Sequence, residues 1–239
     1  MPAPAPVRAV LFDLDDTLWP VMPVILRAEA LLYTWLQTHA PRVAQQHTVE
    51  SLRARRSALM QAEPRYQVDL WALRHAGLTE AFTAAEADLA RVDEAMAVFA
   101  TARNAVTLYD DVLPAMQRLR ARYALGTISN GFADLQAIGI DQHFAISLAA
   151  YKFGRAKPDS AIFQAACEAI QVEPAQAVYV GDDPLLDVDG AQKAGLRAVW
   201  INRFQRQLPA QVRPDACCTT LFELEDWLAA LAGATLDKP

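Results

Sequence analysis

Five short apolar runs, each of a length suited to one buried β-strand, constrain the fold of this chain more than any other feature. Stretches with helical periodicity separate the later runs. Strands that alternate with helices are typical of a parallel α/β sheet, which we predict here. The predicted strands are residues 7–12, 123–128, 145–148, 177–180 and 198–201, with a further edge strand at 215–219 and a terminal helix at 220–231.

A segment of a different kind lies between the first two predicted strands. Residues 24–103 are rich in Ala, Leu, Arg, Glu and Gln and contain a single glycine, Gly77. We predict helices at 24–39, 48–62, 68–76 and 83–99, with Thr48 and Thr83 as N-caps and Gly77 in a gap. An all-helical insertion of this size predicts a separate small domain over residues 21–104, whereas residues 1–20 and 105–239 form the core.

The first predicted strand runs directly into an acidic segment, Asp13-Leu14-Asp15-Asp16-Thr17. Asp13 and Asp15 are two residues apart, so the period of a strand lets both side chains point to the same side. Carboxylates at the end of a buried strand are costly in desolvation and mutual repulsion unless a cation neutralises them. The segment therefore predicts a hard metal ion such as Mg²⁺.

Three further polar segments follow later strands or begin helices. Ser129 and Asn130 end the second strand, where a hydroxyl, an amide and free backbone N–H groups suit a phosphate oxygen. Lys157 supplies an ammonium group just before Pro158, which we place at a helix start. Asp182 and Asp187 return two more carboxylates to the same edge of the sheet. Together the four segments predict a site for an anion and a metal ion.

Composition limits the classes of partner. The net charge is −6, which argues against a nucleic-acid or anionic-membrane surface and favours a small-molecule partner. Cys167, Cys217 and Cys218 make no disulfide framework, and residues 1–6 lack the charged and apolar regions of a signal peptide. No apolar run reaches the length of a membrane span. We expect a reduced, cytoplasmic protein.

The four segments, taken in order over residues 7–195, resemble the signature motifs of the haloacid dehalogenase (HAD) superfamily of hydrolases. The helical insertion after the first strand is similar to the type-1 cap of that superfamily. The resemblance implies a doubly wound, Rossmann-like core carrying an inserted helical cap domain. It also implies a metal-dependent enzyme that acts on a small phosphorylated metabolite.

The resemblance implies a role for each motif residue. Asp13 corresponds to the nucleophile that forms an aspartyl-phosphate, and Asp15 to the general acid that later deprotonates the hydrolytic water. Physical chemistry supports such a pair, because closely spaced carboxylates push each other's pKa values apart. The implied Mg²⁺ ligands are Asp13, the backbone carbonyl of Asp15, Asp182 and Asp187, the last directly or through water. The implied phosphate ligands are Ser129, the backbone around Asn130, and Lys157.

Several alternatives remain open at this level. Dehalogenases of the superfamily lack a carboxylate at the position of Asp15, because halide leaves without a proton, so phosphate hydrolysis is favoured. A phosphomutase, or a catalytically silent binding protein, keeps the same motifs. A phosphorylatable signalling module also uses an acidic cluster with Ser or Thr and Lys. In such a module, however, the phosphorylated Asp lies on a later strand than it does here.

Substrate preference is indicated by short segments of the insertion, among them residues 23–27, 62–64 and 76–78. They resemble a bacterial group within the superfamily that dephosphorylates flavin mononucleotide and a ribitylaminouracil phosphate. A 5′-nucleotidase or a sugar-phosphate phosphatase is the alternative. We predict Trp19 and Arg27 as substrate contacts. We interpret Arg53, Arg55 and Arg56 as a solvated helix face, and Asp183 and Asp189 as capping or outer-shell residues.

Overall fold

The protein, described here from a computed structural model over residues 5–236, is built on a six-stranded sheet in which every strand pair is parallel. The strand order is β3-β2-β1-β4-β5-β6. Of the N-terminal segment considered above for a leader, residues 1–4 lie outside the described part. The strands are β1 (Ala9–Phe12), β2 (Ala124–Ser129), β3 (Ile146–Ala149), β4 (Ala177–Gly181), β5 (Arg197–Ile201) and β6 (Ala216–Cys218). The predicted parallel α/β core is confirmed.

Helices separate most of the strands. They are α1 (Val21–His39), α2 (Pro41–Gln46), α3 (Val49–Ala62), α4 (Leu70–Ala84), α5 (Val92–Asn104), α6 (Val112–Leu119), α7 (Leu135–Ile138), α8 (Ala150–Phe153), α9 (Ser160–Ala169), α10 (Gly190–Lys193) and α11 (Leu221–Leu236). A π-helical turn, Pro184–Asp189, precedes α10. Within residues 5–236, no helix is both long and apolar enough to cross a bilayer.

The described residues form two compact units. The core unit comprises residues up to Pro20, Thr107–Ser129 and the chain from Ile140 onward; the helical unit comprises Val21–Val106 and Asn130–Gly139. The sequence places residues 130–139 in the core, whereas the structure groups them with the helices. There Phe132 packs edge-on against Trp71, with ring centroids 5.5 Å apart.

Strand β1 lies in the middle of the sheet, and this position determines where its acidic segment emerges. Its four residues are completely buried, and they pair on one side with β2 and on the other with β4. In a parallel sheet the carboxyl ends of all strands meet at one edge, where α/β proteins bind ligands. The chain beyond Phe12 therefore lies beside the ends of β2 and β4.

The helical unit contains α2, which was not predicted, and its other helices differ most from the predicted boundaries between residues 76 and 92. Thr48 caps α3 as predicted, in a reciprocal capping box with Ser51. Thr83, predicted as an N-cap, lies inside α4, and the helix expected from that residue begins only at Val92. Gly77 is also inside α4, where a Cβ atom would lie 3.1 Å from Cγ of Arg56. Tight packing between α3 and α4, rather than a helix break, accounts for this glycine.

Candidate active site

Asp13 is the first residue after β1, and its position is held by both backbone and side chain. Its backbone N–H donates to the carbonyl of Val180 in β4, at 2.9 Å. The hydroxyl of Thr17 donates to Asp13 Oδ2 at 3.2 Å, and Lys157 Nζ donates to Oδ1 at 2.6 Å. Asp13 is 6% exposed. One carboxylate is thus fixed at the sheet edge with each oxygen in contact with a donor.

Lys157 joins two of the predicted segments. Its ammonium group contacts Asp13 Oδ1 and Asp187 Oδ1, both at 2.6 Å, and the hydroxyl of Tyr179 at 2.9 Å. Burial lowers the pKa of Lys157, but the two carboxylates outweigh burial and hold it well above its usual range. Lys157 therefore remains a cation. Pro158 does not begin the next helix as predicted, because Asp159 caps α9, which starts at Ser160.

Tyr179 is a site residue that the sequence did not indicate, because it sits in the apolar run of β4. Its hydroxyl donates to the carbonyl of Ile128 in β2 at 2.9 Å and accepts from Lys157. Burial raises the pKa of Tyr179 well above its ordinary value, and Lys157 opposes that effect. The phenol stays protonated and holds the ammonium group beside the two carboxylates.

Asp187 is brought to the site by the turn after β4. Asp187 is 1% exposed, and its Oδ2 accepts from the backbone N–H of Asp183 at 2.9 Å. Asp183 Oδ1 accepts from the N–H groups of Leu185 and Leu186, at 2.8 and 2.9 Å. The predicted capping role of Asp183 is confirmed. The turn thus orients Asp187 towards Lys157.

The absence of a side chain at Gly181 makes this arrangement possible. A Cβ atom there would lie 2.4 Å from Cγ and Oδ2 of Asp187. We expect Gly181→Ala to displace Asp187. Catalytic turnover at this site should then fall about 100-fold, since small misplacements at a site are costly, and stability should fall by about 1–3 kcal/mol. Steady-state kinetics and urea unfolding would measure both effects. Gly233→Ala, where the added Cβ meets nothing within 4 Å, is the control; equal effects in the two variants would contradict this assignment.

Asp182 is held by Arg206, a second residue that the sequence did not indicate. Arg206 donates to the carbonyl oxygen and to Oδ2 of Asp182, both at 2.7 Å, and the indole N–H of Trp200 donates to the same carbonyl at 2.8 Å. Burial, together with Asp187, raises the pKa of Asp182 to about 6, against the opposing effect of Arg206. Nothing in the sequence around Arg206 indicates this pairing, since it depends on how the loop after β5 folds back.

The donor set at the sheet edge suits a hard cation. Oxygen atoms of Asp13, Asp182 and Asp187 all lie within 4.8 Å of one another. Burial raises the pKa of Asp13 well above its usual range, and Asp187 and Asp182 add to it although Lys157 opposes it. Three crowded carboxylates thus resist ionisation together, and a bound cation would reverse this tendency. Oxygen ligands, carboxylates among them, are the ligands that Mg²⁺ and Ca²⁺ prefer.

Asp15 lies apart from that cluster and is held differently. It is half-buried, and its Oδ1 accepts a 2.8 Å hydrogen bond from the indole N–H of Trp19. Asp16, which lies between Asp15 and Trp19 in the chain, adopts a left-handed conformation (φ 61°). Its backbone N–H donates to the Trp19 carbonyl at 2.7 Å. Trp19 itself is completely buried. It is therefore a support for Asp15 rather than the predicted substrate contact.

Four further residues were singled out from the sequence: Ser129, Asn130, Arg27 and Arg56. Ser129 is buried at the end of β2, next to β1 in the sheet, and Asn130 follows it in the chain. Their phosphate-binding roles stay predictions. Arg27, the other predicted substrate contact, donates to the backbone carbonyls of Ala102 and Ala105 within the helical unit. The interpretation of Arg56 as part of a solvated face is wrong, because its side chain is 17% exposed and pairs with Glu29.

Several known proteins are similar to this chain in sequence or structure. A profile of haloacid dehalogenase-like hydrolases matches residues 7–195. The chain is 33% identical over 199 residues to the 5-amino-6-(5-phospho-D-ribitylamino)uracil phosphatase of Escherichia coli strain K12, covering 82% of this chain and 83% of that protein. It is also 31% identical over 244 residues to the phosphoserine phosphatase of Thermus thermophilus, covering 87% of this chain and 94% of that protein. The crystal structure of a 2-haloacid dehalogenase from Pseudomonas syringae pv. Tomato DC3000 has a TM-score of 0.88 and 38% identity, over 94% of this chain and 99% of that one.

Proposed function

This chain belongs to the haloacid dehalogenase-like hydrolase family, and we propose that it hydrolyses phosphomonoesters through an aspartyl-phosphate on Asp13, with Mg²⁺ as cofactor. It is a phosphatase that acts on small phosphate substrates, as its curated relatives do. The observation that carries the proposal is the pair of differently held carboxylates. Asp13 is fixed by Lys157 beside two more carboxylates, whereas Asp15 is half-buried and held by Trp19.

In the proposed first step, a carboxylate oxygen of Asp13 attacks phosphorus and the bond from phosphorus to the ester oxygen breaks. The leaving oxygen takes its proton from Asp15. In the second step, water attacks the phosphorus of the aspartyl-phosphate and gives a proton to Asp15, while the bond from phosphorus to the Asp13 oxygen breaks. Inorganic phosphate is released, and the Asp13 carboxylate and the protonated Asp15 are restored. Lys157 supplies a fixed positive charge beside the Asp13 carboxylate, which attacks in the first step and leaves in the second.

A metal ion fits the residues present. Asp13, Asp182 and Asp187 would hold it, with the backbone carbonyl of Asp15 as a further predicted ligand. When bound, Mg²⁺ neutralises the approach of the anionic phosphate to the anionic nucleophile. Ser129, the backbone around Asn130 and Lys157 are proposed to hold the remaining phosphate oxygens. Arg206 keeps one oxygen of Asp182 engaged and leaves the other for the metal.

The proposed substrate is a phosphorylated ribityl compound, either flavin mononucleotide or a ribitylaminouracil phosphate. The relative from E. coli supports this class by its name and its 33% identity. The 31% identity to a phosphoserine phosphatase supports a different small phosphate ester, and a 5′-nucleotidase or sugar-phosphate phosphatase is a further alternative. The three cysteines are free, which supports the expected reducing, cytoplasmic setting.

Dehalogenation is the second candidate, because one solved structure with 38% identity is named a 2-haloacid dehalogenase. Attack on a carbon–halogen bond releases halide, which needs no proton from the enzyme. A carboxyl group held at the position of Asp15 has no task in that reaction. In phosphate-ester hydrolysis it has two, protonating the leaving oxygen and activating water. The geometry at Asp15 therefore favours the phosphatase.

A substrate panel tests the proposal. We would measure phosphate release from flavin mononucleotide, nucleoside monophosphates, sugar phosphates, phosphoserine and an aryl phosphate, and halide release from 2-chloropropionate. Each would be assayed with Mg²⁺ and with chelator. Mg²⁺-dependent phosphate release that is highest for flavin mononucleotide supports the whole proposal. Phosphate release without metal dependence contradicts the cofactor, and halide release without phosphate release contradicts the reaction.

The bond from Trp19 to Asp15 leads to a separate prediction. We expect Trp19→Phe, which removes the N–H but keeps most of the volume, to lower kcat about tenfold for alkyl phosphates, since charge-assisted hydrogen bonds contribute about 1.5–3 kcal/mol. An aryl phosphate, whose leaving group needs less protonation, should lose much less. Parallel kinetics on both ester types would measure the difference, with Trp227→Phe as control. Equal losses on both esters would mean that Trp19 does not act through Asp15.

A further inference from the structure

The helical unit contains a buried cluster of charges that the proposed reaction does not use. Three arginines on two helices, Arg53, Arg56 and Arg74, lie next to Glu29 of α1; we call them the arginine cluster. Arg53 and Arg56 donate directly to the Glu29 carboxylate, the first at 2.5 Å. Three guanidinium groups thus face one carboxylate, in a chain whose overall charge is −6.

Arg74 is the member whose hydrogen-bonding capacity is least used. The residue is 8% exposed, and its Nε and Nη1 atoms are buried without a hydrogen-bond partner. Its Nη2 lies 3.9 Å from Glu29 Oε1, beyond hydrogen-bond distance, and its Cζ lies 3.4 Å from the centre of the Phe99 ring. Burying donors of a charged group without partners is costly, so this arrangement needs a compensating contact.

The surroundings of Arg74 are positively charged and shielded from solvent. Burial lowers its pKa to about 9, and Arg56, Arg103 and Arg53 lower it further against the opposing effect of Glu29. Arg103, in the last turn of α5, is 2% exposed. Three guanidinium groups beside the single carboxylate of Glu29 leave an excess of positive charge around Arg74, which a further anion would offset.

We propose that the arginine cluster is a binding site for an oxyanion, the carboxylate or phosphate group of a small metabolite. A guanidinium group presents paired N–H donors in the plane that matches the two oxygens of a carboxylate or phosphate. The two terminal nitrogens of Arg74 are such a pair, because Nη1 has no hydrogen-bond partner and Nη2 lies 3.9 Å from Glu29 Oε1, beyond hydrogen-bond distance; Nε is a further unused donor. The oxyanion belongs to a small molecule that is bound by the helical unit.

Binding of malonate, a dicarboxylate probe, tests the site without any catalytic assay. We would follow thermal unfolding of the full chain during a malonate titration, with NaCl at equal ionic strength as reference. The expected result is a saturable rise in Tm for the wild type and for Arg55→Met, whose arginine pairs with exposed Glu80 instead of Glu29. Arg74→Met should bind malonate at least about tenfold more weakly. Equal binding by Arg74→Met would overturn the proposal.

A second variant covers the case in which Arg74→Met does not fold. Glu29→Gln removes the carboxylate that competes for the arginine cluster, so malonate should bind several-fold more tightly than to the wild type. Unchanged or weaker binding would overturn the proposal. Because no turnover is measured, these titrations can succeed or fail independently of the proposed phosphatase reaction.

Discussion

Phosphate-ester hydrolysis by the Asp13→Asn variant is expected to fall by a factor of about 10⁴ or more. An amide oxygen cannot form the proposed covalent bond to phosphorus, and removing the nucleophile of a covalent mechanism has effects of this order. The loss should appear in kcat, because the substrate contacts of Lys157 and the backbone remain. Single-turnover phosphate release in the presence of Mg²⁺ is the measurement that detects so large a decrease.

The fold should survive this substitution. Asparagine has the shape of aspartate, and its amide oxygen can still accept the hydrogen bond from Lys157. Thermal unfolding would verify this, and Asp141→Asn, at an exposed position of the core unit, should keep full activity. Substantial turnover by folded Asp13→Asn would assign the nucleophile to another residue.

Replacement of Lys157 by methionine is expected to have the largest effect on stability. The ammonium group lies between Asp13 and Asp187 and is 5% exposed. Removing one partner of a buried ion pair leaves uncompensated charge, at a cost of about 3 kcal/mol or more. Turnover should fall about 100-fold or more as well, because a fixed charge beside the attacking oxygen is lost. Urea unfolding and steady-state kinetics measure the two effects.

The pH dependence of this deficit has a definite sign. Loss of Lys157 removes the group that opposes burial at Asp13, so the pKa of Asp13 in the folded variant rises further. A carboxyl group whose pKa is higher in the folded state favours folding when it is protonated, and this contribution disappears as the pH rises. The stability deficit should therefore be smaller at pH 5 than at pH 8. Lys193→Met, at an exposed i,i+4 pair with Asp189, should show neither the deficit nor its pH dependence.

The strands and the acidic positions were predictable because they depend on local patterns. Strands β1, β2 and β4 begin and end within two residues of the predicted bounds, since a buried parallel strand requires a continuous apolar run. The N-cap at Thr48 was predictable for a similar reason, as its side chain bonds to the backbone three residues later. Thr83 shows the limit of such patterns, because packing continues α4 past a residue that elsewhere begins helices.

The supporting contacts of the site were not predictable from sequence. In the sequence, Tyr179 is indistinguishable from the other apolar residues of β4. It holds the ammonium group of Lys157 only because that group lies 2.9 Å from its hydroxyl in the folded chain. Arg206 reads as an ordinary loop residue until the chain returns it to Asp182. Arg56 and Arg74 look like solvent-facing residues of helices, and only their packing within the helical unit buries them.

The sequence by itself determined the sheet, the helical insertion and the order of the polar segments, because hydrophobic periodicity and turn chemistry act over a few residues at a time. The tertiary structure decided which of those segments meet. Lys157 and Asp13 are 144 residues apart in the chain yet 2.6 Å apart in space. The Coulomb energy and desolvation that define this site act through space, so they depend on distances that only the folded chain sets.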